Sequence, residues 1–172
     1  MTVADYDSMS EFSCGVEELD KFFRYEISEC VRHRYLSAYC AYFPSGEIVA
    51  VFTLMNDSIM IGDGEEKSDF FDDLRLEEEN DIVDFFKRQS SYPAINIGHL
   101  GTAVKYQGFG IGSAILEFVA GTFSNYHQAG CQFITVDAIN NPLTTRFYDS
   151  NGFFYQTNKD FYFSTRRMYR IL

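Results

Sequence analysis

Residues 94–123 constrain this chain most, because an apolar run, a glycine-spaced turn and an amphipathic pattern follow one another there without a break. Ala94 to Val104 reads as a strand, and the Gly98 and Gly101 inside it mark a bulge or the close approach of another backbone or a ligand. Gln107-Gly108-Phe109-Gly110-Ile111-Gly112 is a turn, and Ile111, Ile115, Leu116, Val119 and Phe123 recur at helical spacing behind it. A helix that starts this way presents first-turn N–H groups with no partner inside the helix, at the positive end of its dipole. Glycines there let a backbone come close to a phosphate and permit φ > 0, although a tight structural turn accounts for the same glycines. A Walker A loop needs Gly-Lys-Ser/Thr, and Gly112 is followed by Ser113 with no lysine. A dinucleotide fingerprint needs GxGxxG, whereas Gly108, Gly110 and Gly112 are spaced two and two.

The rest of the chain supplies the elements around that unit. Val16, Leu19, Phe22, Phe23, Ile27, Cys30 and Val31 predict a first helix over 15–33, ending in the basic Arg32-His33-Arg34. Leu36–Phe43 and Ile48–Met55, separated by Pro44-Ser45-Gly46, predict a β-hairpin whose second strand reaches towards Gly62. Phe70, Phe71, Leu74, Ile82, Val83, Phe85 and Phe86 predict one or two helices with a buried stripe and a carboxylate-rich outer face. Tyr92-Pro93 ends that region, since the residue before proline is pushed out of helical space. Strands are expected at Cys131–Asp137, Phe153–Gln156 and Phe161–Ile171, with a short helix at Asn140–Ser150 stopped by Asn151-Gly152. No repeat or linker interrupts the 172 residues, so a single domain, 1–172, is expected, long enough to bury about 70% of its unfolded surface.

Charge is distributed unevenly. The net value is −11, and residues 63–84 hold eleven of the 25 acids against Lys67 and Arg75. That balance disfavours broad attraction to nucleic acid or anionic lipid. The acidic stretch is either a solvated face or a surface turned to a cationic substrate. The four cysteines (14, 30, 40, 131) and three histidines (33, 99, 127) show no metal-ligand spacing, so no metal is expected. The N-terminus has no signal-peptide pattern and no apolar run approaches a membrane span, so a cytoplasmic protein with reduced thiols is expected.

Gln107, Gly110 and Gly112 spell Q-x-x-G-x-G. About thirty residues on, Asn141, Tyr148, Gly152 and Phe153 fall in the register N-x-x-A-x-x-x-Y-x-x-x-G-F, with Thr144 in place of the alanine. The chain here resembles the GNAT family of acyl-CoA-dependent N-acetyltransferases, most strongly over 94–156. The opening Phe12-Ser13-Cys14-Gly15-Val16-Glu17-Glu18-Leu19-Asp20 is similar to the F-x-C-G-x-x-x-L of one GNAT branch, which includes toxins that acetylate aminoacyl-tRNA. The resemblance implies an α/β (α+β) fold, a mixed and mostly antiparallel central sheet flanked by helices and splayed at the acyl-CoA site.

It also implies acetyl-CoA as cosubstrate. Main-chain groups of Leu100, Thr102 and Val104 would meet pantetheine. The amides of Gln107, Gly108, Phe109, Gly110, Ile111, Gly112 and Ser113 would hold the pyrophosphate, with Asn141 also at the cofactor. Lys105 and Arg146 are candidates for phosphate contacts or plain surface cations. Tyr148 is placed to protonate the departing thiolate, or is a ring packed under the cofactor. His99 is a candidate general base, or a hydrogen-bonded strand histidine; Cys131 reads as a structural thiol.

The expected reaction is transfer of an acetyl group from acetyl-CoA to a primary amine of a small molecule, peptide or protein. The alternatives are a toxin acetylating aminoacyl-tRNA and a noncatalytic acyl-CoA-binding module. The amine must be neutral to attack. A lysine-like amine pays about 4–5 kcal/mol for that at pH 7, and an α-amine near pKa 8 about 1 kcal/mol. A monomer or homodimer is expected, without a membrane partner.

Overall fold

The computed structural model describes residues 9–62, 65–74 and 81–172. After a 3-10 turn at Met9–Glu11, the first helix (α1) runs through Glu17–Lys21, a π-helical turn at Phe22–Glu26, and Ile27–Arg32. The hairpin strands are β1, Ser37–Tyr42, and β2, Ile48–Met60. Helices α2, Glu65–Leu74, and α3, Asp81–Lys87, come next. Strand β3 is Ser91–Thr102, followed by a 3-10 turn at Val104–Tyr106 and helix α4, Ile111–Ser124. The chain closes with β4, Phe133–Ile139, α5, Pro142–Ser150, β5, Phe154–Tyr155, and β6, Thr165–Ile171. One six-stranded sheet has the order β1-β2-β3-β4-β6-β5, and the β1–β2, β4–β6 and β5–β6 pairs are antiparallel. This is the mixed α/β architecture expected.

The chain gathers into two compact units, one of residues 1–56 with 96–119 and the other of residues 57–95 with 120–172. In the first, Met9, Phe12, Cys14, Phe23 and Ile27 pack with Leu36, Ala38, Val51 and Ala103. The core of the second is aromatic: Phe70 lies 5.1–5.6 Å from the rings of Tyr92, Phe133 and Tyr169. The Tyr92 hydroxyl donates to the carbonyls of Phe86 and Gln89, so its polar end is satisfied at the edge of that cluster.

Several boundaries differ from the sequence pattern; β4 is Phe133–Ile139 rather than Cys131–Asp137, so Cys131 precedes the strand it was expected to start. β3 begins at Ser91 and includes Pro93, whose carbonyl accepts from Gln132 N; proline is tolerated in the first residues of a strand. Val104, expected in the strand, lies in the 3-10 turn. β6 begins only at Thr165. The Asp160 carboxylate accepts from Arg166 Nε and Arg167 N, and Asn140 Nδ2 donates to the carbonyls of Phe161 and Phe163. Those bonds hold 161–164 in turns despite their aromatic, strand-like composition.

In the acidic region Phe70 is buried, but Phe85 is exposed rather than part of a stripe. Asp72 and Asp84 face solvent, as a solvated helix face requires. Residues 75–80, which include Glu77, Glu78 and Glu79, lie outside the described residues. No helix of the described residues is long and apolar enough to cross a membrane.

Candidate active site

The glycine turn is built for main-chain presentation. Gly108 and Gly110 have φ of +79° and +78°, and no atom lies within 4 Å of where a Cβ would stand on either. Both therefore need the left-handed region, and both border open space. Ala114 N donates to Gly110 O at 3.0 Å, so the amides of Ile111, Gly112 and Ser113 precede the helical ladder. An anion is the partner such a group of donors suits. Phe109, between the glycines, is 77% exposed.

The turn is tied to the Phe12–Gly15 segment. Gln107 Nε2 donates to Cys14 O at 2.7 Å and to Thr102 O at 3.1 Å, and Val104 N donates to Ser13 O at 3.1 Å. Gly101 is the strand position that admits this segment. A Cβ there would stand 2.7 Å from Phe23 Cε2 and 3.1 Å from Cys14 Cβ. The close approach signalled by that glycine is thus made by the chain itself. Burial pushes the Cys14 thiol up to about 11, so it stays a thiol.

Several residues expected at the cofactor have their polar groups committed. Val104 N is taken by Ser13 O, and Val104 O accepts from Gln107 N, so Val104 has no free main-chain N–H for pantetheine. Asn141 is the N-cap of α5, its Oδ1 accepting from Leu143 N and Thr144 N at 3.0 and 2.9 Å. Lys105 is paired with the Glu47 carboxylate, which also accepts from Tyr106 Oη. That pair borders a cleft of about 530 Å³, also lined by Glu11, Phe12, Ser13 and Ile48. Arg146 is exposed, with no ion-pair partner among the described residues.

His99 lies on β3 with its ring stacked on Phe22, centroids 3.6 Å apart and planes at 8°, and Phe23 meets it edge-on. The π-helical turn of α1 brings both phenylalanines to this one ring. Nδ1 is 3.0 Å from Thr53 Oγ1 on β2. Loss of water around the ring lowers the His99 pKa from 6.5 to about 4, so the imidazole is neutral at pH 7. As pH falls below 6.5 the unfolded chain takes up the proton first, and native stability declines until about pH 4. The full decline due to His99 is at most about 3 kcal/mol, less whatever solvent contact screens. Urea unfolding at pH 7 and pH 5 is expected to show a smaller pH slope in His99→Gln than in wild type. Equal slopes would mean that the histidine titrates normally.

Tyr148, on α5, is 8% exposed and packs edge-on against Phe147 and Phe153 at 5.1 and 5.3 Å. Burial pushes its phenol up to about 12. Among the described residues the hydroxyl has no hydrogen-bond partner. A buried hydroxyl left so costs about 1–3 kcal/mol. Gly152, at φ +79°, ends the helix, and Phe153 N returns to Tyr148 O at 3.1 Å.

No protein-family profile matches the chain, and no curated protein is recognisably similar in sequence. Several solved structures are similar in fold. One of AtaTR bound with AcCoA aligns at a TM-score of 0.71 and 22% identity, covering 98% of this chain and 88% of that one. A tyrosine-to-phenylalanine variant of KacT aligns at 0.72 and 16%, covering 99% and 92%. AtaT complexed with acetyl-methionyl-tRNAfMet aligns at 0.67 and 19%, covering 92% and 85%. The chain has the GNAT fold. The glycine turn leads into α4, and Tyr148 lies on α5.

Two elements were not marked by the sequence pattern. Asp20 is a buried carboxylate on α1, bonded to Ser13 Oγ at 2.6 Å and Cys14 N at 2.7 Å. Asp57 on β2 accepts from Thr135 Oγ1 and pairs with Arg167, which also reaches Asp137. An acid adjoining Leu19 on the buried side of a helix is a usable signal for Asp20. Nothing local marks Asp57.

Proposed function

We propose that residues 1–172 form one N-acyltransferase domain that moves an acetyl group from acetyl-CoA to the α-amino group of aminoacyl-tRNA. The observation that carries this is the near-full-length likeness to AtaT, one structure of which holds acetyl-methionyl-tRNAfMet. Acetyl-CoA supplies the activated acetyl thioester. The amides of the Gln107–Ser113 segment hold the pyrophosphate, and Leu100 and Thr102 present the strand to the pantetheine arm. The neutral amine attacks the thioester carbon and the C–S bond breaks. Tyr148, kept protonated by burial, gives its phenolic proton to the departing sulfur and is reprotonated by the proton that the new amide nitrogen sheds.

His99, with a pKa of about 4, is too weak a base to draw a proton from an ammonium near neutral pH. It serves as a neutral ring in the wall. An acceptor of low basicity suits such a site, because an α-amine gives up its proton for about 1 kcal/mol where a lysine needs about 4–5. The setting is cytoplasmic, where aminoacyl-tRNA is found.

A second reading, acetylation of a small-molecule or peptide amine, is favoured by one observation. The chain carries −11, and phosphate contacts normally dominate affinity for a nucleic acid. Both readings predict that acetyl-CoA at about a hundred times its Kd stabilises the protein by about 2.7 kcal/mol, raising Tm by about 5–10 °C. Transfer of labelled acetyl to charged tRNA, compared with transfer to a panel of free amines, separates them. Labelled aminoacyl-tRNA with growth arrest on expression is the expected result. Transfer only to free amines establishes the second reading, and CoA binding with no transfer establishes a noncatalytic module.

A further inference from the structure

The first helix holds the Phe12–Gly15 segment that bonds to the glycine turn, and the buried carboxylate of Asp20 makes two of the hydrogen bonds that hold it. Asp20 Oδ1 accepts from Cys14 N at 2.7 Å and Oδ2 from Ser13 Oγ at 2.6 Å; that Oγ in turn accepts from Gly15 N at 3.2 Å. The Phe12 carbonyl is held by Arg24 Nη2 at 2.8 Å, one turn further along the same helix. The segment so fixed turns its own carbonyls the other way. Ser13 O takes Val104 N and Cys14 O takes Gln107 Nε2, the two residues that bracket the 3-10 turn leading into the glycines. Phe12 and Cys14 are buried beneath, and Gly15, at φ +80°, would put a Cβ 3.2 Å from Val104 Cγ2.

Burial by itself would raise the Asp20 carboxyl. The hydrogen bonds from Ser13 and Cys14, with the nearby Arg24 charge, outweigh it and hold the group below the ordinary carboxylate range. It is therefore ionised, and its bonds are of the charge-assisted kind.

We propose that Asp20 is a positioning residue for the glycine turn, acting through Cys14 O and Gln107 to hold the 107–113 amides in the arrangement that receives the cofactor's pyrophosphate. The N-terminal F-x-C-G-x-x-x-L-D stretch is then a splint for the anion site. Gln107 contributes its side chain to the splint and its backbone to the site. The alternative role for Asp20 is only to stabilise α1, in which case the turn keeps its order without it.

The cofactor part of this rests on the acyl-CoA reading above, so the experiment has two arms. In the first, CoA binding is measured by calorimetry on wild type, Asp20→Ala, Gln107→Met and the double variant. Each single change is expected to weaken binding about tenfold, the effect of one charge-assisted or buried hydrogen bond. The double variant is also expected to lose about tenfold rather than a hundredfold, because both changes break one chain of bonds. Asp20→Asn keeps an acceptor for Cys14 N without the charge. It replaces the alanine variant if that does not fold, with about threefold weaker binding and the same lack of additivity.

In the second arm, amide hydrogen exchange is followed in the unliganded proteins. Faster exchange at 107–113 in both the Asp20 and Gln107 variants is expected. Unchanged exchange there in the Asp20 variants, or additive losses of CoA affinity, overturns the proposal. Failure of wild type to bind CoA would overturn the pyrophosphate reading, and the exchange arm would still decide the splint.

Discussion

Tyr148→Phe is expected to lower kcat about a hundredfold while leaving the protein at least as stable as wild type. The two halves of that expectation come from the same observation. The phenol is 8% exposed, its pKa is pushed up to about 12 by burial, and its hydroxyl has no partner among the described residues. Removing a buried hydroxyl with no partner among the described residues relieves a desolvation penalty, so unfolding free energy is expected to hold or rise by up to about 1 kcal/mol. The ring contacts with Phe147 and Phe153 stay. In the proposed role of general acid the hydroxyl would contribute about 10²–10⁴-fold, and the low end applies because a thiolate is already a fair leaving group. Acetyl-CoA affinity is expected to change little. Single-turnover transfer, equilibrium unfolding and calorimetry together check this. A kcat within about threefold of wild type, with chemistry shown to be limiting, would mean that another group delivers the proton.

Gly110→Val is expected to remove CoA binding, by a factor of about a hundred or more, from a protein that still folds. Gly110 sits at φ +78°, and a Cβ there has no atom within 4 Å apart from its chain neighbours, so the substitution begins in open space. The backbone penalty for a β-branched residue in the left-handed region is about 1–3 kcal/mol, enough to lower Tm by several degrees and not enough to unfold the domain. The branched side chain would instead occupy the open space over the turn. An anion displaced from it loses several charge-assisted bonds, and a loss of about 2.7 kcal/mol is already a hundredfold. Thermal shift with and without CoA reads this directly. A wild-type-sized shift in the variant would place the pyrophosphate elsewhere.

Much of the fold was legible because its signals are local. The hairpin of β1 and β2 followed from two β-branched and aromatic runs around Pro44-Ser45-Gly46. The start of α5 followed from Asn141-Pro142, where the asparagine caps the first turn and proline tolerates N1. The boundaries that moved did so under distant partners. Residues 161–164 have the composition of a strand, yet Asn140 and Asp160 hold them in turns.

The candidate site divides the same way. Position along the chain singled out Gln107, Gly110, Gly112 and Tyr148, because a glycine-spaced turn, with Gly110 at φ +78°, and an aromatic on a short helix are properties of short segments. Nothing in those segments states that Lys105 is neutralised by Glu47 or that Val104 N is already bonded.

By itself, then, the sequence determined the element order, the glycine turn with its orphan amides, and the tyrosine in register with it. Each depends on residues within a few positions of one another, where backbone sterics and helix periodicity act. Only the tertiary structure decided that Asp20 and Gln107 serve one segment, that Asp57 pairs with Arg167, and that His99 is neutral. Gln107 meets Cys14 across 93 positions and Arg167 meets Asp57 across 110. What a side chain bonds to, and whether water reaches it, is set by which distant strand or helix lies against it, and no local rule carries that information.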